Sequence, residues 1–195
     1  MTASVAGGLA HELAAAVEQL RRATVQVRTR GRATGAGVLW DAGLVITNAH
    51  VVRGERATIE LHDGTAAPAR VVRRDLRRDL AALEFEPSGA MVSAVIRDAP
   101  PLRVGELVIA IGHPGNLVGA AALGIIHAAE RAGERRPRWI QADVRLAPGF
   151  SGGPLADTAG GIVGVNTMMQ GGLALAVPAS AVAAWVRRAH TPVSA

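Results

Sequence analysis

Residues 148–155 read Pro148-Gly149-Phe150-Ser151-Gly152-Gly153-Pro154-Leu155. One hydroxyl stands among glycines, with an apolar run beginning just beyond it. Small residues let a carbonyl of another chain approach the backbone. They also let the N–H groups of Gly149 and Ser151 converge on one oxygen, as an oxyanion hole requires. A plain glycine-rich β-turn uses the same residues, so the stretch by itself leaves both readings open. It is neither a phosphate loop nor a dinucleotide fingerprint, because no Lys follows and no helical pattern opens here.

Two signals upstream give the serine company. In Val45-Ile46-Thr47-Asn48-Ala49-His50-Val51-Val52, a short apolar strand runs into a polar turn that carries a histidine. A strand end is a rigid place to present an imidazole. A half-buried, hydrogen-bonded structural histidine is the competing reading. In Arg78-Asp79-Leu80-Ala81-Ala82-Leu83, an acid directly precedes an apolar strand. An aspartate there can accept the proton on the far nitrogen of a histidine and fix its tautomer. A turn-capping role is the alternative, and Asp63 and Asp75 are rival acids.

Between and beyond these motifs the chain is a succession of short strand patterns. They run from Val25 and Val27 through Gly35–Trp40, Leu44–Thr47, Ala57–Leu61, Ala69–Val72 and Leu80–Glu86. Leu107–Ile111, Ala120–His127, Trp139–Ala142, Ile162–Asn166 and Leu173–Val177 follow. Turn residues separate them, as in Asp63-Gly64, Pro87-Ser88-Gly89 and Gly160-Gly161. About a dozen strands at this spacing predict an all-β barrel or sandwich. The Pro-containing, low-charge segment 88–102 is the expected linker between two halves. Leu9, Leu13, Val17 and Leu20 predict an amphipathic helix over 7–23 that packs over the edge of the fold. A second helix is predicted from Ser180, its expected cap, to Ala189, with Arg187 and Arg188 near its end.

Composition narrows the chemistry. The 195 residues contain no Cys, which excludes disulfides, zinc-thiolate sites and a cysteine nucleophile. Net charge is +5, carried entirely by Arg on the basic side. Only Arg73, Arg74, Arg77 and Arg78 cluster, and the plain reading is a solvated surface turn. No stacking aromatics interleave with them, which argues against nucleic-acid binding. No uncharged apolar stretch has the length and bounds of a membrane span. The N-terminus has no basic region of the signal-peptide kind, so a full-length chain is expected to be cytoplasmic.

Taken together, the three motifs resemble the HtrA-like (Deg) branch of the chymotrypsin/trypsin-type serine proteases. The likeness runs from about Gly35 to Ser180. Gly35-Ala36-Gly37-Val38-Leu39 is similar to that family's opening strand, and Ala110-Ile111-Gly112-His113-Pro114 to the start of its second barrel. The order His, Asp, Ser is the chymotrypsin order. The resemblance implies a chymotrypsin-like double β-barrel with short N-terminal and C-terminal helices. Its expected parts are an N-terminal helix over 1–24, a first lobe over 25–100 and a second lobe with the closing helix over 101–195. It implies a serine endopeptidase with His50, Asp79 and Ser151 catalytic and the oxyanion held by Gly149 and Ser151. No metal or organic cofactor is implied. The implied partner is an unfolded or extended polypeptide, without nucleic acid or membrane, and an oligomer is possible but not indicated.

Leu173, Ala174, Leu175 and Ala176 resemble the strand that lines the primary pocket. They imply cleavage after small or medium apolar residues. Arg145 is a competing clue: pointing into the pocket it would favour acidic side chains, and pointing to solvent it would have no bearing. Phe150 departs from the polar residue usual before the serine. It is expected to pack in the second barrel and leave the oxyanion donors preformed. The segment 117–122 is short and Ala-rich, and no PDZ domain is expected after Ala195. The alternative function is a catalytically silent peptide-binding module of the same fold, adding a peptide strand beside residues 173–177.

Overall fold

A computed structural model of the chain describes residues 5–29, 32–89, 91–97, 101–115, 117–128 and 139–188. After helix α1 (Val5–Arg22), six strands follow: β1 (Thr24–Thr29), β2 (Arg32–Asp41), β3 (Leu44–Thr47), β4 (Arg56–Glu60), β5 (Ala66–Asp75) and β6 (Leu80–Phe85). A second set comprises β7 (Leu107–Gly112), β8 (Ala120–Ala128), β9 (Ile140–Asp143), β10 (Pro154–Asp157), β11 (Ile162–Gln170) and β12 (Leu173–Pro178). Helix α2 (Ala179–Arg187) closes the described chain.

Each set forms a closed antiparallel barrel, in the orders β1-β2-β3-β6-β5-β4 and β7-β8-β9-β12-β11-β10. The two orders are the same, so the chain repeats one six-strand path. The sequence expectation of an all-β, chymotrypsin-like double barrel with two short helices matches this architecture. The unexpected strand is β10, which begins inside the serine motif, where Pro154 masks the strand pattern.

Period-two alternation explains how two barrels share one fold. In the first, Leu39, Val45, Ala81 and Leu83 point inward, joining Val25, Val27 and Ile59. Their neighbours Val38, Ile46, Leu80 and Ala82 point outward, where they meet Ile109, Ile111, Ile162 and Val165 of the second barrel. Val108, Ala110, Leu155, Ala174 and Ala176 fill the second interior. Each fully buried Leu, Ile or Val contributes roughly 1.5–3 kcal/mol. Strands apolar on both faces therefore make the middle layer as well as the two interiors.

Helix α1 packs on β1 and β7 through buried Ala16 and Leu20, with Leu13 and Val17 half-buried. Leu9, expected on this face, is exposed, lying about two turns before the buried Ala16. Helix α2 starts straight after Pro178 and has no side-chain cap, so Ser180 lies within its first turn rather than at its N-cap. Val182 and Trp185 are buried beneath it.

The arginine run is not merely a solvated turn. Arg73 lies on β5, donates to the Trp185 carbonyl at 2.6 Å and stacks 4.9 Å from the centre of the Trp185 ring. The described part of the expected linker is pinned as well. Ala94 N–H donates to Leu39 O, Arg97 N–H to Ile162 O, and the Arg97 guanidinium pairs with Glu106 and Asp157.

Candidate active site

His50 and Asp79 reach each other because β3 and β6 are neighbours in the first barrel. Beyond Thr47 the chain turns through Asn48 and Ala49, and Val51 N–H closes the turn on Asn48 O at 3.2 Å. The Asp79 carbonyl accepts both Ala49 N–H and the Asn48 side-chain amide. Its carboxylate accepts the His50 backbone N–H on Oδ1 at 3.0 Å and faces the His50 ring nitrogen Nδ1 with Oδ2 at 2.7 Å. The aspartate thus holds the turn and the imidazole together. The Asp79 side chain is 16% exposed, whereas that of His50 is 46% exposed, so the ring stays reachable while its acid is shielded.

Asp79 adopts φ 55, the one positive φ among the described non-glycine residues. Aspartate tolerates this region better than branched or bulky residues. Burial pushes the Asp79 carboxyl up, but hydrogen bonds from His50 and Thr167 outweigh it and hold the group below the usual aspartate value. The rival acids are engaged in capping. Asp63 accepts Thr65 N–H, while Asp75 accepts Arg77 and Arg78 N–H and pairs with the Arg78 guanidinium.

Ser151 arrives from the second barrel and is fixed by both. Its carbonyl accepts Ala36 N–H of β2 at 2.8 Å, and Gly152 N–H donates to Asn166 O at 2.8 Å. A side chain on Gly35 would strike the Ser151 carbonyl, and one on Gly152 would overlap Ala36 O and Thr47 Oγ1. These glycines are what allow β2 and the serine loop to touch. The Ser151 hydroxyl donates to Thr167 O at 3.1 Å, so its resting hydrogen bond is to β11.

Just before the serine, Ala147-Pro148-Gly149-Phe150 forms a turn closed by Phe150 N–H on Ala147 O at 3.2 Å. Pro at the second position and Gly149 at the third, with φ 111, are the marks of a type II turn. Phe150 is buried in the second interior, as its expected packing required.

His50, Asp79, Phe150 and Ser151 border one cleft of about 660 Å³, with Leu76, Leu146, Ala147, Pro148, Asn166, Thr167, Met168 and Met169. A larger hollow of about 850 Å³, bounded by Trp40, Glu84 and Val186, lies on the first barrel and contains none of the four. Among the described residues, no cluster of His, Asp or Glu is suited to hold a metal ion. Among the same residues, no helix is long and apolar enough to cross a membrane.

The expected pocket residues are placed elsewhere. Arg145 is exposed and borders no part of this cleft. Ala174 and Ala176 belong to the second interior, Leu175 is buried and Leu173 is half-buried. Strand β12 is paired along both edges, with β9 and β11, so no peptide strand can add beside residues 173–177. Sequence reasoning assigned no role to Thr167, whose hydroxyl donates to Asp79 Oδ2 at 2.6 Å. The two are 88 residues apart, so no local pattern could join them. The apolar rim of Leu76, Met168 and Met169 was likewise unassigned.

Residues 35–165 match the family described as trypsin-like peptidase domain. Serine protease HTRA1 of Xenopus laevis is 32% identical over 167 residues, covering 81% of this chain and 36% of the relative. The putative serine protease HhoA of Synechocystis is 36% identical over 156 residues, covering 74% of this chain and 40% of the relative. A probable periplasmic serine endoprotease, DegP-like, of Rhizobium meliloti is 36% identical over 163 residues, covering 78% and 32%. The chain thus spans between about a third and two fifths of the length of these relatives.

Proposed function

The chain belongs to the trypsin-like peptidase domain family, in its HtrA-like branch, and from that premise we propose that it is a serine endopeptidase acting on extended polypeptide. The observation that carries the proposal is the 2.7 Å contact between Asp79 Oδ2 and His50 Nδ1 at the edge of the cleft that holds Ser151.

The chemistry follows from these positions. The Ser151 hydroxyl turns from Thr167 O towards the free ring nitrogen of His50, which takes its proton as the oxygen attacks the scissile carbonyl. His50 then gives that proton to the departing amine, leaving an acyl ester on Ser151. Water, deprotonated by the same imidazole, releases the acid and restores the serine. Asp79 fixes the tautomer and stabilises the imidazolium. Gly149 and Ser151 N–H groups receive the developing oxyanion.

Substrate binding follows from the free edge of β11. Residues 168–170 pair with β12 on one side only, and none of the described strands pairs with the other. A peptide in extended form adds there by main-chain hydrogen bonds. Leu146, Phe150, Met168 and Met169 make the cleft apolar, which supports cleavage after small or medium apolar residues.

The test is labelling by a fluorophosphonate together with turnover of an unfolded protein. Wild type should label and cleave, and Ser151→Ala should lose both by several orders of magnitude while staying folded. A folded wild type that binds peptide but neither labels nor cleaves would make it a silent binding module instead.

A further inference from the structure

We propose that Phe150 and Gly112 form a ball-and-socket latch behind the Ala147–Phe150 turn, which makes Phe150 a positioning residue for the oxyanion site. The inference rests on the acyl-transfer reading above and concerns what holds its donors in place.

The ring of Phe150 is 5% exposed and packs among the side chains of the second barrel. Gly112 ends β7 directly beneath it. A Cβ at Gly112 would lie 2.6 Å from Phe150 Cα, 2.7 Å from Cγ and 2.8 Å from Cδ1. The ring and its own backbone therefore rest on bare main chain, in a seat that any side chain at position 112 would fill. The next residue adds a second hold, for His113 N–H donates to Gly149 O at 3.0 Å. Two consecutive residues at the end of β7 thus brace the turn from behind.

The backbone of Phe150 carries this bracing to one of the donors, the Ser151 N–H. Its N–H closes the turn on Ala147 O, and its carbonyl accepts Gly153 N–H at 3.0 Å. The second bond fixes the peptide between Phe150 and Ser151, and with it the direction of the Ser151 N–H. The His113 bond fixes the peptide between Gly149 and Phe150. Neither the Gly149 nor the Ser151 N–H donates to a protein acceptor among the described residues, so both remain available. An apolar side chain has no hydrogen bond to contribute here. It acts by shape, because removing the ring frees the one residue to which the turn and the serine peptide are both tied.

The experiment compares wild type with Phe150→Leu, Phe150→Ala and Gly112→Ala. It reads kcat and KM on an apolar acyl-amino-acid nitrophenyl ester, the fluorophosphonate labelling rate at Ser151, and the folded fraction. Phe150→Ala should lower kcat and labelling about a hundredfold per folded molecule, the scale of one lost oxyanion donor. The fall in kcat should exceed any rise in KM, because Phe150 also borders the apolar cleft and its truncation removes some ground-state contact as well. Phe150→Leu should fall between, and Gly112→Ala, whose methyl takes the ring's seat, should follow Phe150→Ala. Unchanged kcat per folded molecule, with only a lower unfolding midpoint, overturns the latch. Should Phe150→Ala fail to fold, Phe150→Leu decides by the same criterion, because it keeps an apolar side chain in the core. A wild type that never acylates overturns the acyl-transfer reading and the latch together. An active wild type with equally active variants overturns the latch alone.

Discussion

Thr167 donates its hydroxyl to Asp79 Oδ2 at 2.6 Å, on the same oxygen that meets His50 Nδ1 at 2.7 Å. Thr167 is 2% exposed, so the hydroxyl requires this partner. The bond crosses from the second barrel to the first. It makes the charge state and aim of the acid depend on how the barrels dock.

Removing that donor should weaken the acid without unfolding the chain. Thr167→Val is expected to lower kcat about tenfold, near the low end of the roughly 1.5–3 kcal/mol that one hydrogen bond to a charged group contributes. Thr167→Ser, which keeps the hydroxyl, should restore most of the rate. Steady-state kinetics on the two variants check this, and equal rates in both would count against any role for the hydroxyl.

Asp79→Asn separates chemistry from backbone. Asn is among the few residues at ease at positive φ, so the fold should survive φ 55 at this position. The amide presents the wrong group to His50 Nδ1, and kcat should fall by about three to four orders of magnitude. Asp79→Ala should add a loss of stability on the order of 1–2 kcal/mol from the backbone alone. Urea unfolding and turnover of both variants distinguish the two effects.

A third expectation concerns His113, which the proposed chemistry does not use. Its imidazole is buried, with Nδ1 accepting Gly119 N–H at 3.2 Å and no hydrogen-bond partner at Nε2 among the described residues. Burial is the main cause that lowers its pKa from 6.5 to about 4, with Arg21 and His62 adding to it; the Val25 backbone and Glu60 oppose it. The folded value lies below the unfolded one, so the unfolded chain binds the extra proton. Its stabilising contribution is complete above about pH 6.5 and is lost as pH falls through 4. The loss is on the order of 3 kcal/mol at 1.36 kcal/mol per unit. Urea midpoints between pH 7 and 4 should fall more steeply in wild type than in His113→Gln, and parallel curves would rule the effect out.

Glycines at equal φ should differ by what surrounds them. Gly152 and Gly64 both have φ 85, but a Cβ meets Ala36 and Thr47 at the first and nothing within 4 Å at the second. Gly64→Ala should cost about 1–2 kcal/mol, the left-handed penalty alone. Gly152→Ala should cost that plus roughly 1–3 kcal/mol of overpacking. Comparable denaturant midpoints for the two would mean that the seam yields.

What could be read from sequence was what repeats locally. Short apolar runs bounded by turn residues, such as Leu44–Ile46 and Leu80–Leu83, announce strands, and those strands close the barrels. Asp79 could be preferred to Asp63 and Asp75 because an apolar strand follows it directly. The pocket could not be read so. Leu173–Ala176 looks like any apolar strand, and only the pairing of β12 with both β9 and β11 buries it away from the cleft. Thr167 was equally silent, since its partner stands in the other barrel. The rim residues Leu76 and Met169 come from elements distant in the chain, and proximity of that kind leaves no periodic trace.

The bond from Ala36 to the Ser151 carbonyl has a consequence in time as well as in space. Synthesis delivers His50 and Asp79 well before Ser151, and folding tends to proceed lobe by lobe as the chain emerges. On the proposed mechanism, a ribosome-bound first barrel therefore carries the base and its acid without the nucleophile, and without the Thr167 hydroxyl that aims the acid. The nucleophile is seated only when the later barrel clasps the earlier one. On the same reading, an aborted or half-translated product lacks its nucleophile, and the site is completed only at the last step of assembly.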